Sequence, residues 1–78
     1  MFYVYAIKST LVKYIYVGLT ININERLKRH NSGREKTTRS FKPYYLIFLT
    51  QVENRVKARQ IEKCLKSGIG KEFLKTFI

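Results

Sequence analysis

The chain predicts an α+β domain, a small three-stranded antiparallel sheet flanked by helices in the order ββαβαα. Three observations carry that expectation. Two aromatic and β-branched runs stand close together at the start of the chain, with a third in its middle. Two segments of helical period each follow an asparagine able to cap them. The 78 residues contain no repeat, low-complexity tract or linker, so a single domain over 1–78 is expected.

Phe2 to Lys8 alternates Phe2, Val4 and Ala6 against Tyr3, Tyr5 and Ile7, the period of a strand. Tyr14 to Thr20 is a second β-rich run, and Ser9 to Lys13 suits the hairpin between them. Asn22 or Asn24 can cap a helix that runs to about Asn31, with Gly33 as its stop. Ile23 and Leu27 give this helix a buried edge, and Arg26 and His30, one turn apart, project together beside it. Arg34 to Pro43 reads as a polar, basic loop. Tyr44 to Val52 is almost continuously apolar, as expected of a strand in the middle of a sheet. Asn54 can cap a helix to about Ser67 with Ala58, Ile61 and Leu65 as its apolar stripe, and Glu62 lies unusually close to that stripe. Ser67 to Gly70 breaks the helix, and Lys71 to Ile78 closes the chain as a short helix with Phe73, Leu74 and Phe77 inward.

Composition narrows the function. Sixteen Lys and Arg against five acids give a formal net charge of +11, which points to a polyanionic partner, nucleic acid first. A membrane surface is a poorer match, because the basic residues run from Lys8 to Lys75 rather than along one amphipathic helix. All five acids are glutamates, so a metal site would draw its carboxylate from a short list. Cys64 is alone, which excludes an intramolecular disulfide and a Cys-rich zinc site and fits a reducing, cytoplasmic setting. No secretory signal or membrane-length apolar run is visible. The charge by itself also fits a solubilised, ribosome-like surface.

Candidate chemistry rests on five side chains. Tyr3-Val4-Tyr5 and Tyr16-Val17-Gly18 would share a hairpin, bringing Tyr5 and Tyr16 within reach if they lie on one face. Arg26 follows ten positions after Tyr16, with His30 a turn later and Glu62 on the long helix. Phosphodiester hydrolysis needs an activated water, charge stabilisation on the phosphate and help for the leaving oxygen. An arginine fork suits phosphate charge, and a tyrosine hydroxyl or an imidazole can pass protons. Taken singly each residue has a plainer reading: core aromatics for Tyr5 and Tyr16, a solvated arginine, a helix-end histidine favoured by the dipole, and a salt-bridged glutamate.

The order and spacing of all five resemble the GIY-YIG nuclease superfamily, in particular its small stand-alone members, related to the nuclease domain of the bacterial excision-repair C subunit. His30-Asn31-Ser32-Gly33, Lys42-Pro43 and Leu65-Lys66-Ser67-Gly68 extend the likeness over nearly the whole chain. The resemblance implies that Tyr5, Tyr16, Arg26, His30 and Glu62 are catalytic, with Tyr5 as base and Tyr16 as positioning group. It also implies that Glu62 binds one Mg²⁺ or Mn²⁺ per site. Two departures stand out: Tyr3 occupies the position of the first motif's glycine, and Leu19 stands where some relatives have a lysine.

The implied activity is a metal-dependent DNA endonuclease, structure-selective or partner-directed on branched or damaged DNA, with RNA also possible as substrate. Arg34, Lys36, Arg39 and Lys42 suit phosphate contacts that give affinity without reading sequence, and Gly18 would let a phosphate approach the sheet. The alternative is a catalytically silent nucleic-acid-binding module on the same fold, or a basic protein docking on an acidic partner.

Overall fold

The computed structural model describes residues 1–78 and has the expected order. Strands β1 (Phe2–Ser9) and β2 (Ile15–Thr20) are followed by helix α1 (Ile23–Ser32), strand β3 (Tyr44–Val52) and helices α2 (Arg55–Lys66) and α3 (Gly68–Lys75). A single turn of 3-10 helix, Arg39–Phe41, interrupts the long loop after α1, and the Lys42–Pro43 peptide is cis.

The sheet is three-stranded and antiparallel with the order β2-β1-β3. This corrects the expected place of Tyr44–Val52: β3 is an edge strand and β1 is the middle one. The run Phe2–Ile7 is as apolar as β3, and it is the one buried on both sides, with Val4, Tyr5, Ala6 and Ile7 all at 0% exposure. Along β3 the register slips between Ala6 and Ile7, whose partners are Phe48 and Leu46. Ile47 is thereby the extra residue of a bulge, and both Ile47 and Phe48 pack on the same core. Tyr45, Leu46 and Leu49 are left exposed at the edge.

Strand alternation divides the interior in two. Val4, Ala6 and Val17 face α2 and α3, where they meet Ala58, Leu65 and Leu74. Tyr5 and Ile7 face the other way, with Tyr44 beside them and Ile23 and Leu27 of α1 packed over them.

The caps follow the sequence with small changes. Asn22, not Asn24, caps α1 by accepting from the Glu25 amide, and Gly33 ends the helix at φ +84°, where a side chain would be strained. Asn54 caps α2 through the Lys57 amide. Ser67 both ends α2 and caps α3, accepting from the Gly70 amide. The closing helix therefore starts at Gly68, three residues before the expected Lys71, and ends at Lys75. Gly70 is needed there because a Cβ would fall 2.2 Å from the Cys64 carbonyl oxygen.

Candidate active site on the α1 face of the sheet

The register settles how the two tyrosines meet. Tyr5 pairs with Gly18 and Ile7 with Tyr16, so Tyr5 and Tyr16 lie diagonally on one face, ring centroids 6.3 Å apart. Gly18 makes this possible. A Cβ at that position would sit 2.6 Å from the Tyr5 hydroxyl and 3.0 Å from the Tyr16 ring. Its role is thus to admit the Tyr5 side chain, and Gly18 itself is buried. The expected approach of a phosphate at Gly18 meets the Tyr5 ring instead.

His30 enters from the last turn of α1 and is completely buried. Its ring lies 5.0 Å from that of Tyr16, 5.8 Å from Tyr5 and 6.2 Å from Tyr44. Nε2 is 2.7 Å from the Tyr5 hydroxyl, and Nδ1 is 2.8 Å from the Thr38 hydroxyl. Burial, with Arg26 and Arg29 adding to it against the opposing pull of Glu35, lowers the imidazole pKa to about 4. His30 is therefore neutral at physiological pH, unlike an exposed helix-end histidine held protonated by the dipole.

Tyr5 is held well above the ordinary phenol pKa, chiefly by burial, although the charge of Arg26 acts in the opposite sense. Complete burial also keeps its hydroxyl from any attacking water, whereas Tyr16 is only half-buried. Of the two phenols Tyr16 is the more open to solvent, although the family resemblance implies Tyr5 as the base.

Arg26 is three-quarters buried and sits beside Glu35, with Nε 3.2 Å from Oε1 but without the alignment of a hydrogen bond. Its Nη1 donates to the Leu19 carbonyl at 3.5 Å, and Arg29 Nη2 reaches the same Glu35 oxygen at 3.1 Å. Glu35 escaped the sequence reading, and Thr38, which in sequence reads as one of the loop's neutral phosphate donors with Thr37 and Ser40, is buried against His30 instead. The available signal was a lone acid in a basic loop.

Glu62 comes from the other side of the sheet. Its side chain is only 17% exposed, on a helix whose neighbouring residues are mostly open, and Lys66 pairs with it at 3.4 Å. Its charge is the last and smallest of those felt by Tyr5. Three predicted residues, Tyr5, Tyr16 and Arg26, thus gather at the fourth, His30, and Glu62 stands near them rather than among them. Arg34, Lys36, Arg39 and Lys42 are all exposed on the loop after α1.

No three His, Cys, Asp or Glu side chains come together as a metal cage. Two carboxylates are partly enclosed: Glu35, held between Arg26 and Arg29, and Glu62, paired with Lys66. That set fits Mg²⁺ or Mn²⁺, which keep much of their water and need one or two protein carboxylates when a substrate phosphate supplies the rest. No helix is long and apolar enough to cross a membrane.

The chain is 41% identical over 54 residues to a UPF0213 protein of Syntrophus aciditrophicus (strain SB), covering 67% of this chain and 61% of that one. It is 39% identical over 64 residues to the UPF0213 protein in the ldhD 5′ region of Pediococcus acidilactici, covering 78% of this chain and 65% of that one. The matches therefore span somewhat less than two thirds of these relatives' own length. No solved structure matches the chain. The model of the GIY-YIG catalytic domain matches residues 1–72, nearly the whole fold and every residue of the site, and the chain belongs to the GIY-YIG family.

Proposed function

We propose that this protein is a metal-dependent endonuclease that hydrolyses DNA phosphodiester bonds. The observation that carries the reading is the convergence of Tyr5, Tyr16, Arg26 and His30 on one face of the sheet, with the His30–Tyr5 hydrogen bond of 2.7 Å at its centre. A buried, neutral imidazole ringed by three tyrosines is costly to assemble for packing alone, since each buried polar group must find its partner. The net charge of +11 supports a polyanionic substrate.

Within this reading Arg26 stabilises charge on the phosphate, where its planar fork donates aligned hydrogen bonds. Tyr16 contacts the attacking water, and Tyr5, bonded to His30, holds the imidazole against the Tyr16 ring. Glu62 would hold one Mg²⁺ or Mn²⁺. A bound divalent ion supplies a water of lowered pKa and polarises a phosphate oxygen. Arg34, Lys36, Arg39 and Lys42 bind backbone phosphates without base readout, so selectivity follows the shape of the DNA, branched or damaged, or a partner that delivers it. RNA is the other polyanion that such contacts accept.

One observation favours a second reading, a silent binding module: Glu35 already pairs with Arg26 and Arg29 and offsets one of their two charges. Incubation with supercoiled plasmid and branched DNA, with Mg²⁺, Mn²⁺ or chelator, separates the two. The nuclease reading expects metal-dependent nicking that falls by about 10²–10³-fold in Arg26→Ala and Glu62→Ala. Tight, salt-sensitive binding without cleavage on any substrate would favour the silent module. Full activity of Glu62→Ala would refute the metal assignment.

A further inference from the structure

The loop between Gly33 and Pro43 presents two non-basic side chains to the site. Thr38 is completely buried, with its hydroxyl 2.8 Å from His30 Nδ1. The Tyr44 hydroxyl donates to the Thr38 carbonyl at 2.9 Å, and the Thr38 amide donates to the Glu35 carbonyl at 3.1 Å. Thr38 is thus anchored to β3 on one side and to Glu35 on the other. Glu35 in turn lies 3.2 Å from Arg26 Nε and 3.1 Å from Arg29 Nη2, with its side chain 19% exposed. One short stretch of loop therefore reaches both the imidazole and the guanidinium.

A neutral imidazole with a hydroxyl on each nitrogen has two proton arrangements, because either hydroxyl can donate or accept. A free Nδ1 would let them interchange. The two hydroxyls are unequal: a phenol is the stronger donor and an aliphatic hydroxyl the stronger acceptor. The favoured arrangement therefore has Tyr5 donating to Nε2 and Nδ1–H donating to the backbone-anchored Thr38, whose hydroxyl has His30 as its single side-chain partner.

We infer that Thr38 and Glu35 are positioning residues: Thr38 holds His30 in one tautomer against Tyr5, and Glu35 fixes the Arg26 guanidinium beside β2. Their effect on turnover rests on the nuclease reading, whereas the tautomer does not. The rival account makes Thr38 a structural staple whose loss weakens the loop and leaves the imidazole unchanged.

His30 is the one histidine, so nitrogen-edited NMR of its imidazole reads the tautomer directly. At neutral pH the native protein is expected to show two well-separated ring-nitrogen shifts, retained in Thr38→Ser and drawn together in Thr38→Val. A native tautomer mixture, or a folded Thr38→Val with the native pair of shifts, overturns the assignment. The native and Thr38→Ser spectra decide it if Thr38→Val fails to fold: separation in both supports it, and mixing in either overturns it.

In the cleavage assay Thr38→Val should lower kcat by about 10–100-fold with KM little changed. Glu35→Gln separates positioning from simple neutralisation. Relieved neutralisation would raise affinity and kcat together, overturning the Glu35 role; lost positioning lowers kcat while KM holds or falls. If the native protein cuts nothing, the nuclease reading fails, and the imidazole spectra still decide the Thr38 assignment.

Discussion

The two faces of the sheet are built from the same strands and do opposite work. Toward α2 and α3, Val4, Ala6, Val17, Ala58, Leu65 and Leu74 make an apolar core. Toward α1, Tyr5, Ile7 and Tyr44 share the interior with Ser9, His30 and Thr38, all three buried polar side chains. Each of those three has a partner: Ser9 donates to the Phe41 carbonyl at 2.7 Å, and His30 and Thr38 bond each other. Alternate residues of β1 thus line an apolar core on one side and the tyrosine–imidazole cluster on the other. The comparison teaches that substitutions should sort by face, with stability lost from one and imidazole geometry from the other.

The largest effect expected is at the α2–α3 corner. Gly70→Ala would drive a Cβ to 2.2 Å from the Cys64 carbonyl and 2.5 Å from the Leu65 Cα, backbone that cannot yield. Loss of the cooperative thermal transition, followed by circular dichroism, is the expected outcome. Leu74→Ala, at 0% exposure on the same face, should cost about 2–5 kcal/mol in urea unfolding. Neither a surviving Leu74→Ala fold nor its imidazole spectrum should depart from the native arrangement, since Leu74 lies across the sheet from His30.

Acid should act on the other face. His30 titrates at about 4 when folded against an ordinary 6.5, so the unfolded chain binds the proton first. Its contribution is fully present above the unfolded value and is lost as pH falls from 6.5 toward 4. Tyr5, Tyr16 and Tyr44 from the strands, Arg26 and Arg29 from α1, and Glu35 and Thr38 from the loop are the groups that face or charge it. A urea midpoint that falls over that window in the native protein, and less in His30→Gln, is expected. A native imidazole titrating near its ordinary value would break the contrast between the faces.

Gly18→Ala is expected to cost about 1–3 kcal/mol, less than Leu74→Ala, while displacing the Tyr5 hydroxyl from His30. Imidazole shifts should move even where the unfolding midpoint moves little. Glu72→Ala, which removes an exposed pair with Lys75 at 3.2 Å, should change stability by less than about 1 kcal/mol and leave both faces intact.

Much of this was legible in local sequence. Asparagine caps at Asn22 and Asn54, glycine at Gly33 and the alternation of Phe2–Ile7 each act within a few residues, and the elements they predict are present. The spacing of Tyr5, Tyr16, Arg26 and His30 was legible because a hairpin and the following helix bring them together with short connections. The place of β3 was not, because two equally apolar runs compete for the middle of a sheet and only the pairing of β1 with both neighbours decides it. Glu35 and Thr38 belong to a loop with no period, and nothing local marks which of its side chains turn inward.

Sequence alone determined the element order, the net charge of +11 and the family, since caps, alternation and composition are short-range or additive properties. Tertiary structure decided which tyrosine is enclosed, that His30 is neutral, and that an acid from the loop stands against Arg26. Those outcomes depend on desolvation and on charges brought together from separate elements, and both exist only once the chain has closed around them.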